Sequence, residues 1–320
     1  MNIAIIGSGN AASFHANAFN SLGIDIEGVL SSPNSSSVLP FSKENKVNTI
    51  YKDLKDLQNS LPILDGLIIA SNTATVPNYV YSLAPSGIPI LCEKPVSYDL
   101  HTLKNLKKFK NVKVAFNRRF YPTVTSFKDI LKKESGISIK VNIPEATPEL
   151  DLHISDKIPF LVYENSVHIF DLLNFFTTGL VWNFAQNQKK EDGTLISISA
   201  LGKAENSTSL LLDMSFGAPE NFNISAFTGS QKDELLPIET LSTYKGMDVT
   251  EPNDENPIRS YRPRLLRSST IEIHDNLKPG ILEQARSFIY FIEGKEDKRL
   301  ASIHDSIMAI TSIKEIENLI

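Results

Sequence analysis

The sequence has one cysteine, Cys92, among its 320 residues. No internal disulfide can form, and such scarcity fits a reducing compartment, so a cytoplasmic location is expected. No apolar run approaches the ~20 residues that a membrane span needs, and membrane association is not expected. Met1 leads straight into Asn-Ile-Ala-Ile-Ile-Gly without a basic stretch, so no signal peptide is expected either. Positive charge is not in excess: the formal net charge is −5, which gives no reason to expect a nucleic-acid partner. The one basic cluster, Lys104, Lys107, Lys108, Lys110 and Lys113, alternates with Leu103, Leu106 and Phe109, the spacing of a solvated helix face. His101, His153, His274 and His304 show no metal-ligand spacing with one another or with Cys92, so no metal site is expected. Internal repeats and low-complexity linkers are also lacking.

What is present is an ordinary soluble composition, 41% hydrophobic and 22% charged, in a chain long enough for two domains. The first 120 residues alternate short apolar runs with helical patterns. Ile3 to Ile6, Ile24 to Leu30, Leu64 to Ala70, Ile88 to Cys92 and Lys113 to Phe116 read as strands. Asn10 to Leu22, Val76 to Leu83 and Leu100 to Phe109 read as helices. Such alternation predicts parallel βαβ units with right-handed crossovers, and ligands at the carboxyl ends of the strands.

Those ends carry the unusual residues. Gly7-Ser8-Gly9-Asn10-Ala11-Ala12 matches G-x-G-x-x-G/A between a strand and a helix. The first glycine permits a tight turn, the second lets a pyrophosphate approach the backbone, and the small third residue lets the helix pack on the strand. Gly7, Gly9, Asn10 and Ala11 are therefore candidate dinucleotide contacts, aided by the helix N-terminus. Dinucleotide folds that prefer NAD end the second strand in an acid that bonds the ribose 2′-hydroxyl. Here Ser31 takes that place and Ser32 follows. No carboxylate stands there to repel a 2′-phosphate, and no arginine to attract one, so the cofactor is NAD or NADP with a lean to NADP.

From Tyr121 onward the pattern changes. After a helix near Thr125 to Lys133, the stretches Ile137 to Ile143, Thr194 to Gly202, Ser209 to Phe216 and Asn221 to Thr228 alternate apolar and polar residues, as in an antiparallel sheet with one covered face. Trp182 and Phe184 fall in the first long strand, and two helices, Ile281 to Glu293 and His304 to Glu317, finish the chain. The fold class expected is α/β: an N-terminal doubly wound Rossmann domain, residues 1–119, and a C-terminal α+β domain with a largely antiparallel open sheet, residues 120–320. The stretch Gln231 to Ser269 reads as the least regular. Arg259, Arg262, Arg264 and Arg267, interleaved with Tyr261, have the chemistry to grip a carboxylate or a nucleotide-sugar diphosphate; the bland reading is an exposed arm at a subunit interface.

Glu93-Lys94-Pro95 closes the strand at Ile90 to Cys92. This arrangement resembles the signature of the glucose–fructose oxidoreductase / inositol dehydrogenase / rhizopine-catabolism (Gfo/Idh/MocA) family. Further segments are similar to that family in order along the chain: Val114-Ala-Phe-Asn117-Arg118-Arg119-Phe120, Glu164-Asn-Ser-Val-His168-Ile-Phe-Asp171, and Gly280-Ile-Leu-Glu-Gln-Ala-Arg-Ser-Phe288. The resemblance implies an oxidoreductase that moves a hydride between nicotinamide and a hydroxyl-bearing carbon of a sugar, cyclitol or sugar derivative, nucleotide-linked sugars included. It implies a second domain whose open sheet face forms a homodimer or homotetramer, and a Lys94–Pro95 bond that is often cis. By the same resemblance Lys94, Glu164 and His168 match the catalytic lysine, aspartate and histidine, and with Asp171 they are the candidate substrate contacts. Ala70, Ser71, Asn72, Glu93, Lys94, Asn117 and Arg118 join the candidate cofactor contacts.

The residues themselves allow this chemistry. Removing a hydride from an alcohol requires a base for the hydroxyl proton, and a histidine cycles near neutrality. Glu164, four residues before His168, would share its helix face. Lys94 would hydrogen-bond the reacting oxygen. Four departures from the family pattern stand out: Glu164 where aspartate is usual, Ser166 where glycine is usual, Ala70-Ser71-Asn72-Thr73 without the usual proline, and Val76 where a histidine is common. Glu164 and Ser166 motivate an alternative, a non-catalytic dinucleotide-binding sensor or scaffold of the same fold. Cys92, ending an apolar strand with no base beside it in sequence, reads as core packing.

Overall fold

The computed structural model describes residues 1–147, 149–272 and 277–320. These fall into two compact units: Met1–Phe120 with Ile273–Thr311, and Tyr121–Glu272 with Ser312–Ile320.

The first unit opens with β1 (Ile3–Ile6), α1 (Asn10–Ser21) and β2 (Ile26–Leu30). It continues through α2 (Val38–Glu44), β3 (Thr49–Tyr51), α3 (Leu54–Ser60), β4 (Gly66–Ile69), α4 (Val76–Leu83), β5 (Ile90–Cys92), α5 (Leu100–Leu106) and β6 (Val112–Val114). The strands run parallel in the order β6-β5-β4-β1-β2-β3, the Rossmann order. β1 and β4 are buried at every position, which is why they read as continuous apolar runs rather than alternating ones. α1 lies on the sheet through Ala12, Ala16 and Phe19. Register places Leu30, Ile6, Ile69 and Cys92 side by side. Ser31, Gly7, Ala70 and Glu93, the residues that follow them, therefore emerge along one edge. The short α2, β3 and α3 escape the periodicity reading, since each offers few buried positions to set a period.

The second unit begins with α6 (Pro122–Leu131) and β7 (Ser138–Glu145), then a wide, π-type turn over Val162–Ser166 that leads into α7 (Val167–Phe176). β8 (Val181–Lys189), β9 (Leu195–Ala204), β10 (Thr208–Phe216), β11 (Asn223–Thr228), β12 (Gln231–Leu235), β13 (Thr240–Thr250) and β14 (Ser260–Thr270) follow. The eight strands lie in the order β14-β13-β12-β11-β7-β10-β9-β8, with only β7 and β10 parallel. Along β10, Leu210, Leu212 and Met214 are buried while Leu211 is exposed, the alternation of a sheet covered on one face. The open face carries Phe184, Leu201 and Leu211 in direct register across three strands, each more than 40% exposed.

Two sequence expectations need correction. The stretch from Gln231 is not irregular: β12, β13 and β14 form an antiparallel ribbon at the sheet edge. β14 is exposed along nearly its whole length, so no hydrophobic alternation marks it. Nor does everything beyond 119 belong to one domain. The closing segment with α8 (Ile281–Ile292), β15 (Ala301–Ser302) and the start of α9 (Ile303–Leu319) belongs with the first unit. Ile281, Ala285 and Phe288 enter the same core as Ile3, Ile5, Phe19 and Ile26, and the Phe288 ring meets Phe19 edge-on at 6.4 Å. Gly66 makes room for this helix, since a Cβ there would lie 2.8 Å from Ile292. β15 pairs antiparallel with β6 as a seventh strand. Buried Arg119 donates to Asp305 at 2.9 Å.

Phe288→Ala should therefore destabilise the first unit by about 3–5 kcal/mol, the range for truncating a buried phenylalanine. Denaturant unfolding followed by hydrogen exchange in β1 and β4 measures it. Exchange protection there equal to that of the unaltered protein would mean that the returning helix does not support this core.

Candidate functional site

The turn after β1 begins at Gly7, whose φ of +118° lies where L side chains rarely go. Its N–H donates to the Leu30 carbonyl at 2.8 Å, and a Cβ on it would stand 2.3 Å from the Ala70 oxygen. Glycine is required on both counts. Gly9 precedes the first turn of α1 and differs: a Cβ there would meet nothing within 4 Å. The space it leaves open is where a phosphate would reach the helix N-terminus. α1 has no acidic residue in its first turn to oppose one. Asn10 and Ala11 follow as the first residues of the helix.

A cavity of about 330 Å³ lies over this turn. Gly7, Gly9, Ser31, Ser32, Ala70, Ser71 and Asn72 line it together, so one cavity unites seven of the sequence-expected cofactor contacts. Ser8, Ser35, Ser37, Thr75 and Tyr79 line it too. Ser8 Oγ is 2.8 Å from Ser31, 3.1 Å from Ser35 and 2.7 Å from Ser37, a cluster of hydroxyls where the second strand ends. The nearby acid Glu27 is occupied elsewhere, accepting from Asn48 at 2.9 Å. Open space at Gly9, an unopposed helix N-terminus and hydroxyls at the end of β2 fit a dinucleotide.

Glu93 and Lys94 leave the end of β5, and the Lys94–Pro95 peptide is cis. Glu93 stands 2.8 Å from Nε2 of His15, a fully buried histidine on α1. Burial pushes the Glu93 carboxyl up, but the His15 hydrogen bond and the charges of His15, Lys94 and Lys278 outweigh it and hold the group below the usual carboxylate range. Cys92 is wholly buried, and burial with the Glu93 charge pushes its thiol well up, so it is packing rather than a nucleophile. Asn117 donates to the Pro279 carbonyl at 2.9 Å. With the Gln284 amide oriented to suit its neighbours, the Gln284 oxygen accepts from the Asn117 N–H at 3.1 Å. These bonds tie the Asn117 turn to the returning segment. Arg118 follows it in the same turn and is half-buried.

The other expected site residues lie in the second unit. Glu164 sits in the wide turn and is partly exposed, whereas His168 and Asp171 are buried on α7. The four-residue spacing of Glu164 and His168 thus crosses a π-type turn rather than a regular α-helical one, a feature frequent at functional sites. The turn is gripped on two sides. Tyr163, fully buried, donates its hydroxyl to Glu317 at 3.2 Å. Asn165 donates to both oxygens of Glu145 at 3.1 and 3.2 Å, and the Ser166 hydroxyl donates to Glu145 as well.

Residues 1–115 match the model of the oxidoreductase family with an NAD-binding Rossmann fold (Gfo/Idh/MocA). The match is to the N-terminal region alone. An uncharacterized oxidoreductase, YrbE, of Bacillus subtilis is 26% identical over 178 residues, 53% of this chain and 52% of its own. A myo-inositol 2-dehydrogenase of Thermotoga maritima is 26% identical over 216 residues, 64% of this chain and 61% of its own. The chain thus spans about half to three fifths of the length of the curated relatives it matches. The crystal structure of a UDP-N-acetylglucosamine 3-dehydrogenase, GnnA, of Acidithiobacillus ferrooxidans superposes with a TM-score of 0.75 at 14% identity, covering 100% of this chain and 97% of that one. This likeness is one of fold.

Relative to the Gfo/Idh/MocA signature, sequence reasoning missed His15 and the serines at 8, 35 and 37. His15 sits on the buried side of α1, and no spacing rule links it to a residue 78 positions on. Three arginines of the ribbon have separate partners. Arg259 pairs with Glu251 at 2.7 Å, Arg264 with Asp248 at 2.6 Å, and Arg267 donates to Thr243 at 3.2 Å. Exposed pairs of this kind contribute little stability. Among the described residues no group of acids, histidines and cysteine is arranged to hold a metal, and no helix is long and apolar enough to cross a membrane. His274 lies outside the described residues.

Because folded Glu93 binds its proton more weakly than it does in the unfolded chain, its contribution to stability is complete above the ordinary carboxylate pKa. That contribution is lost as the pH falls through the lower folded value. Glu93→Gln should therefore be less stable than the unaltered protein at neutral pH and show a shallower loss of stability on acidification, read from denaturation midpoints across the acid range. An unchanged slope would mean that the His15–Glu93 contact stores no charge-dependent stability.

Proposed function

We propose that this protein is an NAD(P)-dependent dehydrogenase or reductase that transfers a hydride between nicotinamide and a hydroxyl-bearing carbon of a sugar, cyclitol or sugar derivative. The observation that carries the reading is the joining of a glycine cradle, open at Gly9, with a Glu-Lys-Pro turn at the carboxyl edge of one parallel sheet. The nicotinamide, when bound, supplies or accepts the hydride. Lys94 donates a hydrogen bond to the reacting oxygen and offsets negative charge that develops there. His168 takes the hydroxyl proton in oxidation and returns it in reduction. Glu164 orients the imidazole or holds a substrate hydroxyl. The names of the relatives, myo-inositol and UDP-N-acetylglucosamine dehydrogenases, support polyhydroxylated rings as the first candidates. Gly7, Gly9, Ser31, Ser32, Ala70, Ser71 and Asn72 hold the dinucleotide, and the hydroxyls around Ser8 favour NADP by bonding its 2′-phosphate without a carboxylate to repel it. The apolar strip of Phe184, Leu201 and Leu211 on the open sheet supports a homodimer or homotetramer covered at that face. A cytoplasmic setting accords with the single buried thiol.

Titration with NADH and NADPH, followed by dihydronicotinamide fluorescence, should show binding of both and tighter binding of NADPH. Binding of neither by the folded protein would sink the reading. Ser31→Asp should weaken NADPH by about tenfold or more relative to NADH, since it sets a carboxylate against the 2′-phosphate; an unchanged ratio would place the 2′-position elsewhere. His168→Asn should abolish turnover with myo-inositol or UDP-N-acetylglucosamine and the better-bound cofactor, while leaving dinucleotide affinity intact. An unaltered rate removes His168 from the chemistry.

A further inference from the structure

We infer that Glu145 is a positioning residue that fixes the Glu164–His168 segment through Asn165 and Ser166; this rests on the proposed catalytic reading of that segment. Glu145 is the last residue of β7 and only 8% exposed, and Ser166 is fully buried. Burying a carboxylate away from water is costly unless several donors satisfy it. Here two donors make three contacts: both oxygens accept from the Asn165 amide, and one also accepts from the Ser166 hydroxyl. Asn165 and Ser166 are the two residues directly after Glu164, and His168 is the second residue after Ser166. The strand end thus grips the side chains of two residues that lie between the two proposed catalytic groups.

The geometry gives this grip a purpose. A π-type turn is rare, appears mostly as a single turn within helices and is frequent at functional sites, so the contacts that hold this one bear on the site. Tyr163 anchors it on one side through Glu317, and Glu145 anchors it on the other. Glu164 stands between the anchors, so the anchors set its backbone while its side chain stays partly exposed. A glutamate has one more rotatable bond than an aspartate, and a fixed backbone is what keeps its carboxylate from wandering. The Ser166 hydroxyl, absent from the glycine that the family pattern usually has there, is one of the donors that lets Glu145 take hold. The two departures in this segment are thereby coupled: the serine enables the clamp, and the longer acid needs it. Glu145 touches no reacting atom in this account and acts only through the turn.

Misplacing a catalytic group by about 1 Å costs on the order of 100-fold in rate. Glu145→Gln, which puts an amide N–H against the Asn165 donors, and the uncharged Ser166→Ala should each lower kcat by about 10- to 100-fold. KM and the dissociation constant of the dinucleotide should stay within about threefold, and Glu145→Asp should recover part of the loss. The assay follows dihydronicotinamide absorbance with myo-inositol and UDP-N-acetylglucosamine as probes and the better-bound cofactor. If Glu145→Gln fails to fold, Ser166→Ala decides, because it removes one donor and leaves the buried carboxylate bonded to Asn165. Unchanged kcat in Ser166→Ala, or parallel losses in kcat, KM and melting temperature without rescue by aspartate, overturns the inference. No turnover of either probe by the unaltered protein, with NADPH binding intact, instead overturns the catalytic reading beneath it and the inference with it.

Discussion

The first unit depends on one close approach of backbone to backbone. β1, β2 and β4 converge at their carboxyl ends so tightly that the residue after β1 must bond the Leu30 carbonyl while leaving no atom in the way of the Ala70 oxygen. Only glycine meets that steric demand, and from it the cavity follows. The chain can turn at once, Gly9 can leave its space empty, and α1 can begin with its N–H groups directed at that space. The same convergence presents Ser31, Ala70 and Glu93 along a single line. Residues scattered from Gly7 to Glu93 thus become neighbours because four strands end in register.

The parts legible in the sequence are those whose physics is local. The glycine spacing, the apolar runs of fully buried strands and the Glu-Lys-Pro turn each announce themselves within a few residues. What was hidden depends on partners far away in the chain. His15 acquires meaning only from Glu93, and Ser35 and Ser37 only from Ser8. The ribbon escapes the sequence pattern because β14 and the second half of β13 are exposed on both faces and have no reason to alternate apolar and polar side chains. The return of 273–311 to the first unit was invisible because a hydrophobic helix stripe does not say which core it enters. The relation of Glu164 to His168 was read with an α-helical ruler where the chain makes a wider turn.

Polar anchoring in the two units follows a common rule. In the first, a buried histidine holds the carboxylate beside Lys94; in the second, a buried carboxylate holds the turn that carries Glu164. Each places a desolvated polar group one layer behind the residues proposed to meet substrate. Such a layer restricts motion because any displacement would strand a polar atom without its partners.

The return of α8 to the first core has a consequence for the order in which the molecule is made. Synthesis completes β1 to β6 early, yet the helix that packs on Ile3, Phe19 and Ile26 is made only after the second sheet. Until then the parallel sheet lacks those contacts while the whole second sheet is translated. The chain is therefore a nested assembly in which the outer unit closes after the inner one has been made. A gene fragment cut at residue 115, where the family match ends, would encode the parallel sheet without the helix that completes its core.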